Sequence, residues 1–132
     1  KSMTHYMKPW WLKWGVSIFG NQMVKAVPFQ EAYFLEDTLK FKQAVDAPFI
    51  YVGGLVRKSK IEEVINHGFD FVQMGRAFIS MPDFVNRMKE GTCFCECDHN
   101  NYCMARMYSI DMRCCLHVKE ELPKKIIKEL GI

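Results

Sequence analysis

The chain has 132 residues, 49% of them hydrophobic and 25% charged, with 18 basic against 15 acidic side chains and a formal charge of +3. That is the length and balance of one ordinary globular domain, and it excludes a disordered chain, which would be poorer in apolar residues and more lopsided in charge. The small positive surplus gives no case for nucleic acid as a partner, and no run of about 18 apolar residues offers a transmembrane helix.

The sequence starts at Lys1 rather than at Met, which leaves open whether it is a whole protein or a piece of one. It lacks the apolar core and small-residue cleavage site of a signal peptide. All six cysteines lie between Cys93 and Cys115. A tight cluster in a chain without a leader points to reduced thiols or a metal rather than a disulfide framework, and to a cytoplasmic location.

Residues 1–30 read as an aromatic-rich helical segment, with a helix over His5–Phe19 carrying Trp10, Trp11 and Trp14 between Lys8 and Lys13. Such a helix could lie at a lipid interface, wall an apolar channel, or pack on its own domain or a partner. Gly15 and Gly20 interrupt a long amphipathic face, which favours packing over membrane contact.

Residues 31–91 read as helix, strand, helix, strand, helix. Phe34, Thr38, Phe41 and Val45 share one helical face, widened by Leu35 and Leu39, and Ala47-Pro48 stops that helix. Phe49–Val52 is a short run of β-formers ending in Gly53-Gly54. Ser59 and Glu62 have the spacing of a capping box, opening a helix that buries Ile61, Val64 and Ile65 and closes at His67-Gly68. Phe69–Met74 is a second apolar strand, ending in Gly75-Arg76, and Pro82 starts a further helix with Phe84, Val85 and Met88. Two uniformly apolar strands separated by a helix imply parallel strands covered on both faces, hence an α/β fold. Two strands alone do not make a stable parallel sheet, so neighbours are expected.

Residues 92–132 form a Cys-rich extension and, after Pro123, a terminal helix with Ile126, Ile127 and Leu130.

In parallel α/β folds ligands bind beyond the carboxyl ends of the strands. Both strands here end in glycine at that position. Glycine lets backbone N–H groups approach a phosphate without a Cβ in the way, and Arg76 can add a charged bidentate donor. Two Gly-containing turns and a solvated Arg would give the same pattern.

Phe49–Leu55, Phe71–Ile79 with Pro82-Asp83, and Cys97–Tyr108 together resemble the C-terminal part of the Old Yellow Enzyme group of NADH:flavin oxidoreductases, over about residues 31–117 with Pro28–Leu39 as a lead-in helix. The resemblance implies a (β/α)8 TIM barrel holding FMN, with these as its last two strands followed by the cysteine-containing C-terminal extension. It implies that Gly53, Gly54, Gly75 and Arg76 hold the FMN phosphate. Hydride would pass from NAD(P)H to the flavin and on to an activated alkene or enoyl compound, as in 2,4-dienoyl-CoA reductase. The family's substrate-anchoring and proton-donating residues come from earlier strands, so no catalytic residue is expected in this chain, and Tyr51 is assigned to packing. A barrel of this kind takes about 250 residues, so a C-terminal portion is expected, inactive alone, with open strand edges that pair with another copy or aggregate.

Some members of that group carry a four-iron cluster after the barrel, held by a close cysteine run and a later fourth thiolate. Cys97, Cys103 and Cys114 or Cys115 have usable spacing, but Asn100 stands where the middle cysteine would be, so the cluster is not expected. Zinc with His99 or His117 lacks the usual paired knuckles. The competing reading makes Cys93–Cys115 an iron–sulfur or zinc-binding accessory module, and a third makes the Trp-rich segment a docking element.

Overall fold

In a computed structural model that describes residues 9–23, 27–106 and 112–131, the two apolar runs form parallel strands, β1 (Ile50–Val52) and β2 (Phe71–Gln73). Ile50 pairs with Phe71, Tyr51 with Val72 and Val52 with Gln73, so the two strands end side by side. Asp70 aligns their starts. Its carboxylate accepts the Phe49 amide at 2.8 Å, while the Phe49 carbonyl accepts the Asp70 amide at 3.1 Å.

The chain divides into two units, Phe29–Asp98 and Lys1–Pro28 with His99–Ile132. In the strand-containing unit the helices are α2 (Leu35–Ala44), α3 (Lys58–Asn66), α4 (Arg76–Ser80) and α5 (Phe84–Lys89). The other unit holds α1 (Trp10–Met23), α6 (Tyr102–Ala105), α7 (Lys124–Leu130) and two short 3-10 turns, Cys115–His117 and Lys119–Glu121. No helix among the described residues is long and apolar enough to cross a membrane.

The core of the strand-containing unit gathers Tyr51, Leu55, Val64, Phe69, Met74, Ala77, Met81, Phe84 and Cys95. Fully burying a side chain such as Val64 or Phe84 contributes about 1.5–3 kcal/mol. A return segment completes this side: the Cys93 carbonyl accepts the Lys58 amide at 2.8 Å, and the Cys95 amide donates to Val56 at 2.7 Å. These bonds close an antiparallel bridge between Arg57 and Phe94.

The structure departs from the sequence reading in several places, Ile65 among them, which α3 leaves exposed while burying Val64. The lead-in helix does not begin at Pro28: residues 31–34 form a turn, Ala32 takes a left-handed φ of 56°, and the helix starts at Leu35. Leu35 and Leu39 pack on the core, whereas Phe34, Phe41 and Val45 are exposed. The Ser59–Glu62 capping box does not form; the N-cap is Arg57, and Glu62 lies 3.9 Å from Lys58 on the helix surface. Among the described residues the sheet is covered on one face only. Tyr51 is fully buried, but Ile50, Val52 and Phe71, which point the other way, are exposed. Helix α1 runs through Gly15 and Gly20, with Trp10, Trp11 and Trp14 exposed, while the His5–Lys8 part of the predicted helix lies outside the described residues.

Candidate functional site

The aligned strand ends bring Gly53-Gly54 and Gly75-Arg76 out from adjacent positions of one sheet. The glycines differ in what they do there. A Cβ on Gly53 would collide with the Tyr51 phenol, whose ring carbon Cζ stands 2.7 Å from that position. Gly54 adopts a left-handed φ of 66°, and its missing Cβ leaves room for Phe29 Cε2 and Tyr33 Cε1, each 2.9 Å from where it would be. Gly75 is open: beyond its chain neighbours, a Cβ there would meet none of the described residues within 4 Å. Arg76 follows as the first residue of α4, its guanidinium carbon 5.9 Å from the Phe29 ring centroid, at the outer reach of a cation–π contact.

Tyr51 is 0% exposed, and its hydroxyl donates to the Gly53 carbonyl at 3.5 Å. Burial pushes the phenol above its usual range, with a hydrogen bond from the Phe34 backbone pulling the other way. It is a neutral core hydroxyl, shielded from solvent.

A segment that sequence reasoning missed lies over the end of β1. The strap Phe29–Phe34 is fastened by Glu31, whose Oε1 accepts the amides of Val56 at 2.8 Å and Arg57 at 2.7 Å. Its Oε2 accepts Arg57 Nε at 2.6 Å. The Glu31 side chain is only 4% exposed, against 60% for Arg57. Burial alone would raise the Glu31 pKa. The Val56 amide, the Arg57 side chain and the Arg57 amide outweigh it and hold the carboxyl below its usual value. Glu31 lies 25 residues from Val56 in sequence, and no local motif announces such a bond.

The cysteine candidates fall in different units. Cys97 packs against the core of the strand-containing unit. Cys103 and Cys114 are buried in the other unit, as is Cys115. Asn100, flanked by His99 and Asn101 at left-handed φ of 59° and 61°, donates from Nδ2 to Cys115 Sγ at 3.0 Å and accepts the Tyr102 amide at 2.9 Å. Among the described residues no group of three or more His, Cys, Asp or Glu is arranged to hold a metal ion.

The model of the NADH:flavin oxidoreductase / NADH oxidase family matches residues 17–93. The match begins within α1 and ends at Cys93, before the Cys97–Tyr108 run. The 4,4'-dithiodibutanoate disulfide reductase of Rhodococcus erythropolis is 34% identical over 101 residues, which is 73% of this chain. The chain spans 24% of that relative's length. No solved structure matches it. Both glycine turns, Arg76 and the Glu31 strap lie inside the family match, which covers more than half of the sequence, and the chain belongs to the NADH:flavin oxidoreductase / NADH oxidase family.

Proposed function

We propose that this chain supplies the cofactor-phosphate end of an FMN-dependent NAD(P)H oxidoreductase, as the C-terminal part of a (β/α)8 barrel. The observation that carries the reading is the pair of parallel strands ending side by side, one running into Gly53-Gly54 and the other into Gly75-Arg76. The residues fit a phosphate there. The open space at Gly75 admits an oxyanion against the backbone, and Arg76 brings a guanidinium whose planar donors match phosphate oxygens. Gly53 and Gly54 serve this site indirectly, by shaping the turn around Tyr51, Phe29 and Tyr33. FMN, when bound, supplies the hydride relay between nicotinamide and acceptor. The residues of this chain bind and orient its phosphate.

The uncovered apolar sheet face supports the barrel assignment. Ile50, Val52 and Phe71 form a row that a closed barrel would turn inward. Retention of FMN through dialysis by the full-length protein tests the phosphate site: Arg76→Ala is expected to release the flavin, and unchanged retention would refute the assignment.

For the electron acceptor, an activated alkene or enoyl compound follows from the resemblance of the strand-end motifs. A second reading is favoured by the Rhodococcus relative, whose name gives a disulfide as its substrate. In that reaction NAD(P)H and one proton reduce the S–S bond to two thiols. Consumption of NADPH or NADH with 2-cyclohexenone against 4,4'-dithiodibutanoate separates the two.

A further inference from the structure

We propose that Glu31 is a positioning residue for the cofactor phosphate, holding the Phe29–Phe34 strap so that the Phe29 ring backs the Arg76 guanidinium at the strand ends. This rests on the phosphate reading of Gly75 and Arg76 and assigns it a mechanical support.

Three observations converge on it. Glu31 spends three hydrogen bonds, at 2.8, 2.7 and 2.6 Å, on the segment immediately after Gly54 and Leu55. Its carboxylate is almost fully enclosed although it is ionised, and a buried charge persists only where its oxygens are satisfied. Two residues before it, Phe29 touches both halves of the candidate site, filling the space at Gly54 and lying 5.9 Å from the Arg76 guanidinium carbon. The strap therefore joins the turn after β1 to the arginine after β2 through the Phe29 side chain. An arginine on a long stem has many rotamers, and an aromatic ring against its guanidinium reduces the ordering required when an oxyanion arrives. Arg57 neutralises Glu31 locally, so the latch does not set an unpaired negative charge beside a phosphate.

The role separates from simple structural support because it concerns the phosphate and not the flavin ring. FMN and riboflavin differ only in that phosphate, so the ratio of their affinities isolates it. Flavin-fluorescence titration of the full-length protein with each ligand measures the ratio in wild type, Glu31→Gln, Phe29→Leu and Arg76→Ala. Glu31→Gln is expected to weaken FMN binding about tenfold, the scale of a charge-assisted hydrogen bond, while riboflavin affinity stays at the wild-type value. Phe29→Leu keeps the apolar bulk of the strap and is expected to lower the ratio in the same direction. It also serves where Glu31→Gln does not fold. If Glu31→Gln and Phe29→Leu leave the ratio unchanged, or lower both affinities alike, while Arg76→Ala lowers the ratio, the latch is refuted and the phosphate reading stands. If Arg76→Ala leaves the ratio unchanged, the phosphate reading itself fails and takes the latch with it.

Discussion

Tyr51 and Gly53 occupy one another's space: the tyrosine hydroxyl donates to the Gly53 carbonyl, and its ring fills the position a Cβ at residue 53 would need. A core side chain in β1 thus shapes the turn that follows the strand, and packing inside the protein requires the glycine. Removal of the hydroxyl tests this division of roles. Tyr51→Phe is expected to cost about 0.5–1.5 kcal/mol in denaturant unfolding, the net worth of one hydrogen bond, and to leave turnover of the full-length enzyme within about twofold. A loss on the order of 100-fold in kcat would make Tyr51 an acid.

Gly54 and Gly75 are expected to respond oppositely to alanine. At Gly54 the left-handed backbone and the Phe29 and Tyr33 rings both oppose a methyl group, so Gly54→Ala destabilises the fold by about 1–2 kcal/mol or more. At Gly75 a Cβ would meet none of the described residues beyond its chain neighbours within 4 Å, so Gly75→Ala leaves the melting temperature near wild type and weakens flavin binding. Thermal melts with and without FMN distinguish the two.

Glu31 links the strap to acid stability. Its folded-state pKa is depressed, so its contribution is fully present above the ordinary carboxylate value of 4.5 and is lost as pH falls below that through the folded value. Wild-type unfolding free energy is expected to drop over that acid window, and Glu31→Gln is expected to flatten the drop. Identical slopes for the two proteins would show that the carboxylate is not the group responsible.

Asn100 makes two bonds of different polarity, and Asn100→Asp separates them. The aspartate keeps an acceptor for the Tyr102 amide and loses the donor to Cys115 Sγ. Labelling of Cys115 by a thiol reagent is expected to accelerate in Asn100→Ala, which loses both bonds, and to slow in Asn100→Asp, where a carboxylate faces the sulfur and disfavours the reactive thiolate. Equal labelling rates in all three would show that the bond does not restrain the cysteine.

Much of the strand-containing unit was legible because its signals are local. Apolar runs at Tyr51 and Val72, the glycines that stop them and the left-handed Gly68 are each set by residues within a few positions. The Glu31 strap was not legible. Its energy comes from amides 25 and 26 residues away, and a glutamate after Pro28-Phe29-Gln30 looks like the start of an ordinary helix. The Ser59–Glu62 box failed for a related reason: Arg57 and Lys58 are fastened by Glu31 and the Cys93 carbonyl, the helix starts at Lys58 with the Arg57 carbonyl taking the Lys60 and Ile61 amides, and Ser59 is already inside it. Phe34, Phe41 and Val45, read as one apolar helical face, are exposed, because periodicity identifies an apolar face without saying what covers it.

The proposed phosphate site at Gly75 and Arg76 is tested most directly by calorimetric titration of the flavin-free full-length protein with FMN and with riboflavin. FMN is expected to bind at least about tenfold more tightly, the contribution of charged hydrogen bonds to its phosphate. Equal affinities for the two would contradict it.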